Sequence, residues 1–336
     1  MVIFGIATLT PVLLLVLAAG LGGVWVVCTL LYLTTLTYVL DSLVKVAPAQ
    51  RPESEFPVAH GLSLLLAVLH FPVLGICVWA ISHGTLSWIE AGALFLSAGL
   101  FFGQVSNANA HELIHRPDRL SHRLGMWVYI SLLFGHHTSA HVLVHHRHVA
   151  TDDDPNTSRL GESYYAYLTR AWVGSFLSGY RAEAARLAQI SRSPLRNPYL
   201  IYVAGGIVLI ACVGWFAGLA GVLAYVLLSL YAQSQLLLSD YVQHYGLQRA
   251  RDENGKPQPV SARHSWNSRH WFTSAMMLNA PRHSDHHTRP TTPYPALLLA
   301  DDAPMLPRSL PAMATLALFP RLWFRVMDHR VARWRS

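Results

Sequence analysis

The sequence predicts an all-α membrane protein: six transmembrane helices in three hairpins, with a cytoplasmic helical cap carrying a histidine-rich di-metal site. Three observations lead there. Of 336 residues, 52% are hydrophobic and only 13% charged, whereas soluble domains carry about 25% charged residues. The apolar residues gather in three long blocks. The 19 histidines are clustered, not scattered. The whole chain, 1–336, reads as a single domain.

Crossing the hydrocarbon core takes about 20 mostly apolar residues. Each block is long enough to do so twice and has a turn signal at its middle. Residues 2–40 are interrupted at Gly20-Leu21-Gly22-Gly23, residues 61–103 at Ser82-His83-Gly84, and residues 199–238 near Gly218 to Gly221. The expected spans are therefore 3–20, 23–40, 61–81, 86–106, 199–217 and 220–239. No basic stretch and cleavage site precede a polar mature chain, so a cleaved signal peptide is not expected.

Charge then orients the hairpins. No lysine or arginine falls at a hairpin tip; all lie in 41–60, 104–198 or 239–336. Those segments share one side, and the positive-inside rule makes that side the cytoplasm. The expectation is a multi-pass protein of the inner, cytoplasmic membrane with its histidines facing the cytoplasm. Glu90 is the sole acidic residue near the other face. The net charge of +7 comes almost entirely from arginine, Lys45 and Lys256 being the only lysines. Positive loops and a basic docking face for an acidic partner both fit it. A nucleic-acid partner is not expected.

Shorter apolar patches at 124–134, 164–176 and 271–280 suit interfacial or re-entrant helices. The run 316–334 mixes Leu, Phe and Trp with Arg321, Arg325, Arg330, Arg333 and the adjoining Arg335, which suits a helix in the headgroup plane. Cys28, Cys77 and Cys212 each sit in an apolar stretch and read as packing residues, with no disulfide framework.

Histidines recur at four places in 107–198 and 240–300. His111-Glu112-Leu113-Ile114-His115 comes directly after the fourth span, and His141-x-x-x-His145-His146 repeats the i, i+4 spacing with a neighbour. His244 stands alone past the sixth span, and His283-x-x-His286-His287 offers i+3 and i+4 together. Helix positions i and i+4 share a face, so two imidazoles at that spacing can meet one metal. One isolated pair would read as surface or core; several on one side of one membrane imply a shared ligand. Zinc needs only three or four ligands, so the nine histidines of these clusters suit two ions. Imidazole ligation fits iron, copper, nickel and zinc alike. Neutral imidazoles leave two divalent cations uncompensated, so nearby carboxylates should accept the outer ring N–H groups. The candidates are Glu112, Asp154, Glu162, Asp240 and Asp285, with Glu112 and Asp285 favoured because ligands flank them. His60, His70 and His83 read as structural; His148 and His264 are spare-ligand candidates.

These motifs resemble the three histidine boxes of membrane alkane 1-monooxygenases (alkane omega-hydroxylases), within the integral-membrane fatty acid desaturase/hydroxylase superfamily. The stretch Val149-Ala150-Thr151 through Asp154-Pro155, Ser158-Arg159 and Gly161-Glu162 is similar to the segment after that family's second box. His244-Tyr245-Gly246-Leu247 resembles its additional histidine motif, and His264-Ser265-Trp266-Asn267-Ser268 the run before its third box. The resemblance covers roughly residues 100 to 290. It implies two iron ions ligated by His111, His115, His141, His145, His146, His244, His283, His286 and His287, with no catalytic residue beyond them. It also implies O2 as co-substrate and electrons from a rubredoxin or ferredoxin with its NADH-dependent reductase. The substrate would be a hydrophobic small molecule taken from membrane lipid and hydroxylated at a terminal or methyl C–H.

Two departures bear on the substrate. Ala140 and Gln243 stand where the alkane enzymes usually have glutamate, and they look more like xylene-type monooxygenases. Ser284-Asp285 looks like the alkane branch. Alternatives are an alkylaromatic methyl hydroxylase, a membrane desaturase with the same metal site, and an HExxH intramembrane zinc protease built on His111-Glu112-x-x-His115. A metal transporter would need polar ligands near the bilayer midplane. Trp25, Tyr32 and Tyr38 are bulky enough to set a chain-length stop, or to serve as packing.

Overall fold

The computed structural model describes residues 1–43 and 56–334. Among them there are no strands, only two isolated bridges, Arg251 with Pro257 and Asn267 with Met305. Lys45, Arg51 and Arg335, part of the charge asymmetry, lie outside the described residues.

Helix α1 (Val2–Leu21) is followed by α2 (Val24–Leu43), α3 (Phe56–His83) and α4 (Trp88–Ile114). The first two breaks fall where the glycine and Ser-His-Gly signals put them. Ser87 and Glu90 form a reciprocal capping box that starts α4. Glu90 also accepts a hydrogen bond from the Gly23 N–H at 2.6 Å, so the lone acidic residue of this end ties two turns together. α4 does not stop at 106; it runs on through the first histidine box, so His111 stands on the same helix that crosses the apolar block.

The third apolar block forms α8 (Tyr199–His244), 46 residues interrupted at Gly218, whose φ of 56° and ψ of −163° are not helical. Glycine tolerates that conformation because it lacks a Cβ. A straight helix would separate Gly205 from Tyr225 by about 30 Å at 1.5 Å per residue. Instead Gly205 abuts Ile130, and the Tyr225 hydroxyl donates to the Ser131 carbonyl at 2.7 Å. The two arms therefore fold back beside each other. Five helices (α1, α2, 57–83 of α3, α4 and α8) are long and apolar enough to cross a membrane. Trp88, Trp215 and Phe216, at the ends away from the histidines, are exposed, as an aromatic belt at a lipid–water boundary would be.

α4 meets the second arm of α8 through glycine. A Cβ at Gly99 would overlap the Tyr231 ring, and one at Gly103 would lie 2.4 Å from the Gln235 Cβ. Small residues four apart let two membrane helices approach this closely. His70 is buried in α3 between the hydroxyls of Ser106 at 3.0 Å and Ser131 at 2.8 Å, so its role is to pin three segments together, as a structural reading requires.

The cap comprises α5 (Arg119–Ser131), α6 (residues 137–148), α7 (Tyr164–Gln189), α9 (Trp271–Met276), α10 (His283–Thr288), α11 (Leu310–Ala317) and α12 (Pro320–Ala332). Its core gathers Tyr129, Phe134, Tyr167, Tyr241, Tyr245, Trp266 and Trp323. Of the short apolar patches, only α7 has an outward apolar stripe, with Tyr165, Trp172, Val173, Phe176, Leu177 and Tyr180 exposed at helical spacing. α9 is buried, capped by the Asp41 carboxylate of α2, which accepts from the N–H groups of Phe272 at 3.0 Å and Thr273 at 3.1 Å and from the Thr273 hydroxyl. The run 316–334 is not one headgroup-plane helix. It breaks before Pro320, and α12 turns Trp323, Met327 and Val331, four apart, into the cap core.

Candidate metal centre

Two groups of imidazoles converge at the junction of spans and cap. His111, His115, His141, His146 and His286 form one; His145, His244, His283 and His287 form the other. Within each, the candidate ligand nitrogens all lie within 4.8 Å of one another. These are the nine histidines singled out from sequence. His148 is exposed and His264 accepts from the Ser261 N–H at 3.0 Å; neither belongs to a group.

The partition differs from the simplest spacing argument. His111 on α4 and His115, which caps its C-terminus, do share a group at the i, i+4 spacing. His141 and His145, at the same separation, do not: His141 pairs with His146, and His145 faces the other group. The cause is a π-helical turn over His141–His145, which widens the helix by one residue and aligns i with i+5. On α10, His283 and His287 share a face while His286 points to the other group. So α6 and α10 each contribute to both groups, α4 supplies only the first, and α8 only the second.

The contacts within each group are those of lone pairs brought together. His141 Nε2 lies 2.7 Å from His111 Nε2 and 2.9 Å from His146 Nε2, while His286 Nε2 lies 3.0 Å from His146 Nε2. In the second group His283 Nε2 lies 3.0 Å from His244 Nε2 and 3.1 Å from His287 Nε2. A neutral imidazole has one donor and one acceptor nitrogen, so a set of mutually close Nε2 atoms is poorly satisfied by hydrogen bonds alone. The buried Nε2 atoms of His115 and His145 have no hydrogen-bond partner at all. Such orphaned acceptors are what a cation would pair. Burial, and then the neighbouring imidazoles, hold His115, His141, His146, His283, His286 and His287 well below the usual histidine range. That keeps them in the neutral form that ligates metal.

His145 is the exception. Burial pulls it down, but the Asp154 carboxylate and its hydrogen bond, with Asp240 farther off, lift it above the usual value. Asp154 accepts from His145 Nδ1 at 2.8 Å. It also accepts from the Thr157 hydroxyl at 2.7 Å and the Asn156 N–H at 3.0 Å. Burial alone would raise its pKa, but His145 and these donors hold it below the carboxylate range. Asn156 in turn donates to Asp240 at 2.8 Å, linking the two acids. The arrangement orients the ring so that Nε2 faces its group, the usual task of a carboxylate behind a ligating histidine. Asp154→Asn is expected to lower metal affinity about 10–100-fold, measured as metal retained against a chelator.

The other candidate carboxylates are engaged elsewhere. Glu112 pairs with Arg116 and accepts from the Tyr294 N–H at 3.3 Å. Asp285 holds Arg289 and Glu162 holds Arg170. One positioning residue carried no separate assignment from sequence: Asn267. Its carbonyl accepts from the Ser284 N–H at 2.9 Å and its amide donates to the Ser284 hydroxyl at 2.7 Å, anchoring the start of α10 beside His283. The run His264 to Ser268 was its only signal.

Residues 85–317, more than half of the chain, match the fatty acid desaturase family. Alkane 1-monooxygenase 2 of Pseudomonas aeruginosa is 33% identical over 317 residues, covering 91% of this chain and 84% of its own length. Alkane 1-monooxygenase of Ectopseudomonas oleovorans is 34% identical over 281 residues, covering 81% of this chain and 68% of its own. The xylene/toluene monooxygenase hydroxylase component of Pseudomonas putida is 28% identical over 317 residues, covering 91% and 82%. With its apolar helices and paired imidazole groups, the chain is a multi-pass membrane oxidoreductase that belongs to the alkane 1-monooxygenase family, within the wider fatty acid desaturase family.

Proposed function

We propose that this protein is a di-iron, O2-dependent monooxygenase that hydroxylates a terminal or methyl C–H of a hydrocarbon. The observation that carries this reading is the convergence of nine buried or half-buried imidazoles into groups of five and four. In it, His111, His115, His141, His146 and His286 hold one iron, and His145, His244, His283 and His287 the other. The relatives' names point to monooxygenation, and redox chemistry on an all-imidazole site favours iron over zinc.

When bound, the irons supply O2 activation: one oxygen atom enters the C–H bond, the other leaves as water, and two electrons with two protons balance the step. The chain's own residues do the rest. α6 and α10 hold ligands of both irons at fixed separation, and Asp154 fixes the orientation of His145. The apolar helices deliver a lipid-dissolved substrate to the cap. The proposed membrane arrangement is six spans in three hairpins, counting the two arms of α8 separately, in the inner membrane with the metal centre on the cytoplasmic side. Electrons would come from a rubredoxin or ferredoxin with an NADH-dependent reductase, docking on the arginine-rich cytoplasmic surface.

The HExxH protease alternative is disfavoured by geometry. It needs Glu112 free as a general base, and that carboxylate is committed to Arg116 and the Tyr294 backbone. The test is metal content together with the product formed under labelled O2. About two irons per chain and one labelled oxygen in an alcohol product are expected. One zinc per chain would overturn the reading, and an alkene product would replace hydroxylation with desaturation.

A further inference from the structure

Between α2, α4, the second arm of α8 and α11 lies a cavity of about 400 Å³. Its outer wall includes Thr34, Thr35 and Tyr38, all exposed on α2. Adjoining it is a small space of about 20 Å³, a neck bounded by Gly103, Ser239 and Met277. Gln104, Gln235, Pro311 and Ala314 line both parts. The neck's walls belong to the two long helices that carry His111 and His244. Ser239 donates to the Gln243 side chain at 3.0 Å, and Gln243 precedes His244. Gln104 lies seven residues before His111 on the same helix, about 10 Å at the helical rise.

A passage for plain hydrocarbon alone would be apolar at its constriction. This one carries two amides. Gln104 is 8% exposed, and its Oε1 is buried without a hydrogen-bond partner. An alkane passing there would leave the amide carbonyl unpaired, which a buried polar group resists. A hydroxyl satisfies both ends of the amide: its O–H donates to Oε1 and its oxygen accepts from Nε2.

We propose that the Gln104–Gln235 neck binds a hydroxyl group, and that the substrate is a hydroxyl-bearing hydrocarbon whose far methyl reaches the metal centre. This rests on the hydroxylase reading above and names its substrate class. The same insertion of one oxygen atom, with two electrons and two protons from the same donor, converts the bound alcohol to a diol and water.

The probes are n-octane and 1-octanol, used with the full-length, iron-loaded protein and its electron donors. Wild type is expected to convert octanol to the diol with kcat/KM at least about tenfold above that for octane, because a site built to hydrogen-bond a hydroxyl discriminates against the analogue lacking it. Gln104→Leu should narrow or reverse that ratio while retaining iron. Gln104→Met serves if the leucine variant does not fold, and the wild-type ratio is decisive without either. Octane oxidised as well as octanol by wild type overturns the hydroxyl site, with a bound water then pairing Gln104, and leaves the hydroxylase reading standing. A ratio unchanged in both variants overturns it equally. Octanol binding measured by equilibrium dialysis, lost in Gln104→Leu but with no oxidised product from either probe, supports the site and sinks the hydroxylase reading instead.

Discussion

His141→Ala is expected to leave the purified protein with clearly fewer than two irons per chain and to reduce hydrocarbon oxidation by more than about 100-fold. His141 is 2% exposed, and its Nε2 lies against those of both His111 and His146, so it is central to the five-imidazole group. Removing an outer carboxylate costs about 10–100-fold in metal affinity or activity; removing a ligand itself should cost more. The four histidines left in that group can still hold part of its metal, so activity should fall further than iron content. His145→Ala provides the counterpart in the other group. Iron analysis alongside turnover checks both. Full iron content and activity in His141→Ala would show that the convergence of rings is packing, not ligation.

Asp41→Ala should produce the largest loss of stability outside the metal centre. The carboxylate is 2% exposed and takes three donors at the start of α9: two backbone N–H groups and the Thr273 hydroxyl. Removing the acceptor leaves those donors buried, at about 1–3 kcal/mol for each unsatisfied group. The Trp271 indole, bonded to the Leu40 carbonyl at 2.9 Å, would retain only part of the link between α2 and α9. The expected readout is a clear drop in thermal unfolding temperature in detergent, with Asp41→Asn intermediate because it keeps one acceptor oxygen. An unchanged transition in Asp41→Ala would show that water replaces the carboxylate.

Much of the architecture was legible because the bilayer makes simple demands. Long apolar runs and small-residue breaks located the turns after Leu21 and His83 and the reversal at Gly218. The histidines were legible as a set because their number and spacing exceed what packing needs. Their division into groups was not, since a π turn depends on backbone hydrogen bonding that residue types in 141–145 do not announce. Other differences had signals that spacing rules could have caught. Glu112 with Arg116 and Asp285 with Arg289 are both i, i+4 pairs. Pro320 marks the break before α12, and Trp323, Met327 and Val331 recur every fourth residue, as a core-facing stripe does. The orphaned Gln104 amide could not be read at all without the facing helix.

The extra residue in the turn at His141–His145 has a consequence for loading. Because α6 and α10 each straddle both imidazole groups, an ion captured by one group would immobilise most of the side chains that the other requires. The ordering entropy is then spent largely on the first ion, and the second arrives at a prearranged socket. A chain holding a single ion would be the least favoured state, so empty and fully loaded molecules should dominate the population. In the di-iron reading, helices that carry ligands of both groups are thus expected to make loading cooperative rather than stepwise.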